Sequence, residues 1–282
     1  MAASLRTAAR LRSALGLAVL AAALLPSPGA DGQVAAARSR WWSELDETRL
    51  LLDDGRWRKA VRELVRLRQE VLRTSWREPD LGEVLAELAF QAAVAHAELR
   101  DDEAALWEWH VALNHERARG ALELAGRDLS RYGRAAELLG AQPLRALGEA
   151  PPGQQPVTPR PDRDYEPPAA REDFEVEPLV NSAAVQERPG PVILEVLIDS
   201  VGRFRHPVLV SSWSHPVTVQ WALDNLRRSP PYRPARMEGQ PVAVLERVEF
   251  HLGDPMRGRS RRDRPRPRGH PRVEARRSAV GG

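Results

Sequence analysis

Three histidines, His96, His110 and His115, stand close together in the chain, and imidazole is the commonest protein ligand for a metal. Their spacing argues against a shared ion. On a helix, His110 and His115 are separated by about 140° rather than sharing a face, and neither a cysteine nor a paired carboxylate completes a ligand set. Packing or surface roles are expected for them, and no metal is expected. The tryptophans offer a second possibility, because Trp41-Trp42 and Trp107-x-Trp109 could form a platform for sugars or peptidoglycan. In paired helices such rings more often plug the groove between the helices. The acidic residues near serines or histidines lack nucleophile–base–orienter spacing, and no glycine-rich phosphate loop occurs. These residues point to binding without catalysis or cofactor.

The elements that carry these residues are helical. From Trp41 to about Gly140 apolar residues recur at spacings of three and four. Between Trp57 and Leu72, Ala60, Val61, Leu64, Val65, Leu67, Val71 and Leu72 fall on one broad face, while Arg62, Glu63, Arg66, Arg68 and Glu70 fall opposite. Further helices are expected over 81–99 and from Asp102 to about His115. Leu51 to Leu64 and Glu98 to Ala112 each read as helix, short acidic turn and second helix, with a small residue early in the second. In this and in the placement of Ala93, His96, Ala105, Trp109 and Ala112 the region resembles tetratricopeptide-type helical hairpins, although the early small residues of the two copies, Ala60 and Ala105, stand 45 apart against that family's usual period.

The outer segments read differently. Arg6, Arg10 and Arg12, the apolar run Ala14 to Leu25, and Pro26-Ser27-Pro28-Gly29-Ala30 have the layout of a secretory signal over residues 1–30, with an uncleaved anchor as the alternative. The absence of cysteine excludes a lipidated cysteine and any disulfide. A Pro-rich linker over 145–175 is expected to be extended and to leave the folded parts independent. Residues 253–282 carry ten arginines against Asp254, Asp263 and Glu274. The overall charge of +3 therefore hides an acidic folded part and a basic tail. The tail lacks aromatics for stacking on bases, so nucleic acid is not expected as a partner. A solvated, disordered tail, or contact with anionic lipid or envelope polymers, is expected instead.

Beyond the linker the period becomes that of strands. Val192 to Ile198 is a β-branched, nearly continuous apolar run that reads as a central strand. Asp199-Ser200-Val201-Gly202 turns the chain into a second strand, Arg203 to Ser211, which Pro207 confines to an edge. A helix from Pro216 to Arg228 follows, with Val219, Ala222, Leu223 and Leu226 on one side. After Gly239, Val242, Val244, Val248 and Phe250 alternate with Ala243, Leu245, Arg247 and Glu249 as a third strand. A crossover of the ordinary kind gives the order 2-1-3. The fold class is α+β: an N-terminal all-α helical-hairpin region over 41–140, then a domain over 178–252 with a three-stranded antiparallel sheet packed by helix.

Several motifs occur in order in that domain: Gly190-Pro191-Val192 to Asp199, Gly202-Arg203-Phe204, Val210-Ser211-Ser212, Trp221-Ala222-Leu223, Tyr232-Arg233-Pro234-Ala235 and Gly239-Gln240-Pro241-Val242. Together they resemble the TonB C-terminal domain family over about sixty residues. Val180-Asn181 stands where that family has Tyr-Pro, and the family's anchor and spacer are replaced by a secretory signal and helical hairpins. The resemblance implies a periplasmic or cell-envelope protein, associated with the inner membrane if the signal is retained. It also implies an exposed third strand that captures an extended peptide of an envelope or outer-membrane transport partner. The implied partner-binding edge is Val242, Val244, Glu246, Arg247, Val248, Glu249 and Phe250. The alternative is a periplasmic helical-hairpin scaffold with no direct part in energy-coupled transport.

Overall fold

The spacing of apolar residues after Trp41 builds helices whose ends follow ordinary capping chemistry. In the computed structural model α1 spans Pro28–Asp53, α2 Trp57–Thr74, α3 Leu81–Glu98, α4 Asp102–Arg119 and α5 Gly133–Leu139. The described residues are 28–74, 77–121, 123–142, 146–150, 155–159, 164–170, 191–210 and 215–250. Residues 1–27 of the expected secretory signal, the basic tail, the Val180-Asn181 position and Ser211 to Ser214 lie outside them. Among the described residues no helix is long and apolar enough to cross a membrane.

Helix α2 buries one stripe, Ala60, Leu64, Leu67 and Val71, as its amphipathic pattern requires. Helix α3 is apolar nearly all round and is buried nearly all round. Its two buried polar residues have partners. Glu87 is paired with Arg49 and Arg127, and the Gln91 amide donates to the Leu45 carbonyl at 3.2 Å. The α3–α4 hairpin turns at Leu99-Arg100-Asp101, where the Asp101 carboxylate accepts the Ala104 N–H at 3.2 Å as an N-cap. Gly120, left-handed at φ +72°, ends α4. Alanines at 89, 93, 97, 105 and 112 are buried along this hairpin, so its helices approach closely.

Two three-stranded antiparallel sheets follow. In the larger, β2 (Val192–Ile198) lies between β3 (Phe204–Leu209) and β6 (Val244–Phe250). Helix α6 (Pro216–Arg228) opens with a proline at its first turn, and the His215 imidazole accepts the Val217 N–H at 3.2 Å. The smaller sheet is β1 (Tyr165–Glu166), β4 (Ala235–Met237) and β5 (Gln240–Val242), with β4 in the middle. The fold is thus mixed helix and sheet, with the helices first.

The helical and sheet regions are not independent. Val192, Leu194, Val196 and Ile198 of β2 belong to one apolar cluster with Val219, Ala222, Leu223 and Leu226 of α6 and with Ala93, Trp109 and Ala112 of the hairpin. The described residues from Trp41 to Phe250 belong to one compact unit. Parts of the expected spacer pack against the sheet. Tyr165 and Glu166 pair with β4, and the Val157 N–H donates to the Ala243 carbonyl at 2.8 Å. Proline removes donors but leaves every carbonyl and the intervening N–H groups able to pair, and this segment uses them.

Candidate functional site

The seam between helices and sheet explains why the sheet is left with the edge it has. Asn114 points from α4 at the outer side of β3. Its amide oxygen accepts the Leu209 N–H at 2.6 Å, and its amide nitrogen donates to the carbonyls of Pro207 and His110, both at 2.8 Å. One side chain thus satisfies the edge strand's backbone as a neighbouring strand would. Beside it, His110 Nε2 meets His206 Nδ1 at 2.8 Å, with His206 left-handed at φ +49° where β3 is out of register with β2. Polar residues in mid-helix read in the sequence as surface, so nothing in the spacing marks Asn114 as an edge cap.

Buried charge pins the same seam. Glu108 of α4 accepts from Arg68 of α2 at 2.6 and 3.2 Å and from Arg227 of α6 at 3.0 Å. Burial alone would push this carboxyl up, but the two guanidinium groups hold it below its ordinary range. His115 is fully buried, and its Nε2 lies 2.9 Å from Gln220 Oε1. Gln220 gives its own amide hydrogens to Asp224 at 2.8 Å, which orients the amide and makes His115 Nε2 the donor.

Burial pushes the His115 pKa down to about 4, against about 6.5 in an unfolded chain. The folded state keeps this ring neutral while the unfolded state takes up a proton. Stability is therefore complete above pH ~6.5 and falls as pH drops toward 4, by roughly 3 kcal/mol from this group. Replacing His115 with glutamine should flatten the melting-temperature curve between pH 6.5 and 4 relative to the native chain. Parallel curves in that window would show that His115 does not titrate there.

The remaining histidine of the sequence cluster, His96, lies 3.3 Å from Asp101, so the three rings face three different partners. Among the described residues no group of three or more histidine, cysteine, aspartate or glutamate side chains is placed to hold a metal. Trp41 and Trp109 are buried, Trp57 stands edge-on to Tyr132, and Trp221 stands edge-on to Phe250. A cleft of about 390 Å³ opens beside Trp107 between the start of α4 and β3. Two of its arginines, Arg203 and Arg205, are already paired with Glu103 at 3.6 and 3.0 Å.

The opposite edge of the sheet differs from β3. On β2, Ile193 accepts from Val210 beyond the end of β3, so its backbone groups face the β3 side. Antiparallel pairing alternates, so Glu249, the partner of Ile193 on β6, turns its N–H and C=O away from β2, as do Arg247 and Leu245. Ala243 continues that outward series, and its carbonyl is the one that Val157 occupies. Among the described residues no strand pairs with β6 beyond this point. Of the expected edge residues, Val244, Val248 and Phe250 are buried on the apolar face of the sheet. Glu246, Arg247 and Glu249 are partly or fully exposed. Val242 belongs to β5 in the other sheet and is not on this edge, because the chain leaves the larger sheet at Ala243. Leu245, which the alternation assigned to the far face, contributes an outward backbone position.

Compared with known proteins, the chain matches no family model, no curated protein and no solved structure.

Proposed function

We propose that this protein is a cell-envelope binding protein that captures an extended peptide on the outer edge of β6 by strand addition, in the manner implied by its resemblance to TonB C-terminal domains. The observation that carries the reading is the asymmetry of the sheet. Asn114 closes the β3 edge, while Leu245 and Arg247 turn backbone donors and acceptors outward on β6. An edge of this kind recognises main chain first and side chains second. The envelope location, the outer-membrane transport partner and any inner-membrane association rest on the motif resemblance and the leader-like start, and belong to this proposal. So does the absence of catalytic, cofactor and nucleic-acid roles.

Arg247→Pro tests the edge directly. Proline there removes an outward N–H without removing a bond to β2, and proline is tolerated on edge strands in that orientation. A labelled nine-residue peptide alternating valine and threonine, with lysine at its centre, serves as probe in fluorescence anisotropy. Affinity should fall at least about tenfold while the circular dichroism spectrum is unchanged. Unchanged affinity would favour the scaffold alternative, in which the helices make the contacts. Val244 is unsuitable for this purpose, because its N–H faces β2 and its side chain lies in the core.

A further inference from the structure

Among the side chains of the β6 edge, one is chemically out of place. Val244, Glu246, Val248 and Phe250 share the face of β6 that lies beside Val192 to Ile198, and the other three are buried in the apolar cluster. Glu246 sits directly across from Val196 of β2. It has no hydrogen-bond or ion-pair partner among the described residues. Burial pushes its carboxyl above the ordinary glutamate range, with no neighbouring charge to offset the effect. A carboxylate at an apolar position weakens the unit that holds it, unless something supplies the missing cation. On an open edge, that supply comes from the strand that is added. Directly opposite side chains on neighbouring strands stand about 5 Å apart on the same face, close enough to pair.

Resting on the strand-capture reading, we infer that Glu246 is its specificity determinant: the captured peptide carries a lysine or arginine opposite Glu246, with apolar side chains two residues away on either side to meet Val244 and Val248. The recognised sequence is therefore apolar-x-basic-x-apolar. A second copy of this chain does not meet the requirement. Antiparallel β6 strands related by a two-fold axis keep the same faces on the same side. Glu246 would then stand opposite Val244, Glu246, Val248 or Phe250, none of them basic. Arg247 lies on the other face, 3.9 Å from Glu195.

The test uses the full chain and two forms of the labelled valine–threonine nonapeptide, one with central lysine and one with central norleucine. The lysine peptide should bind roughly tenfold more tightly. With Glu246→Gln the two affinities should come within about twofold of each other, and with Glu246→Lys a central-glutamate peptide should be preferred. Equal binding of the lysine and norleucine peptides to the native chain would overturn the inference while leaving strand capture standing. Binding of neither would overturn both. Concentration-dependent dimerisation, abolished by Arg247→Pro, would show instead that a second copy occupies the edge.

Discussion

Replacing Gly202 with alanine should lower stability by about 3 kcal/mol or more, the largest effect expected of adding one methyl group at the glycines compared in the described residues. Gly202 turns the β2–β3 hairpin at φ +87°. Its carbonyl accepts the Tyr232 N–H at 2.8 Å, and a side-chain carbon at this position would fall inside the van der Waals surface of the Tyr232 carbonyl oxygen. Backbone faces backbone here, so no rotamer change relieves the clash. The Phe204 and Tyr232 rings then meet edge to face with centroids 4.9 Å apart, which seals the contact. Gly239→Ala is the matched control. Gly239 is also left-handed, at φ +76°, but has open space where the carbon would go, so only the conformational cost of about 1 kcal/mol applies. Urea titration of the two variants should separate them by about 2 kcal/mol. Equal midpoints would mean that the hairpin and the Tyr232 segment part easily.

Glu108→Ala should cost about 3–5 kcal/mol, for an electrostatic reason. The carboxylate is shared by Arg68, largely buried, and Arg227, partly exposed. Without it Arg227 can turn to water, but Arg68 is left as a buried cation among α2, α4 and α6. Attraction is not the whole of the cost, and a second variant shows it. Removing both charges in Arg68→Met/Glu108→Leu should recover most of the loss, because an apolar pair of similar volume avoids the desolvation penalty. A double variant as unstable as Glu108→Ala alone would argue that the arginine's packing, and not its stranded charge, sets the effect.

The long elements were legible because their periods repeat often enough to be read. The stripe of Ala60, Leu64, Leu67 and Val71 marks α2 within two residues at its end, and the Asp101 cap marks the start of α4. The apolar run of β2 and the Pro216 start of α6 were equally plain. The smaller sheet was not, because strands of two or three residues such as β1, β4 and β5 carry no period. Val242 falls in the smaller sheet, not on the β6 edge that its alternation implies, for a related reason. Alternation from 242 to 250 continues unbroken through Ala243, where the chain changes partner, and only backbone pairing reveals the change. The docking of helices on sheet was hidden differently. Asn114, His110 and Glu108 are polar residues whose mates lie far away in sequence, and spacing along a helix cannot report on them.

Asn114 gives the sheet a direction. A sheet with two unpaired edges is a repeating unit, since whatever adds at one side leaves the other ready for the next addition. Here one side is terminated by an amide that belongs to the protein itself. Copies of the chain therefore lack the second open edge that stacking sheet on sheet in series would need. The same side chain that fastens the helices to the sheet thus guards the protein against end-to-end polymerisation through its strands.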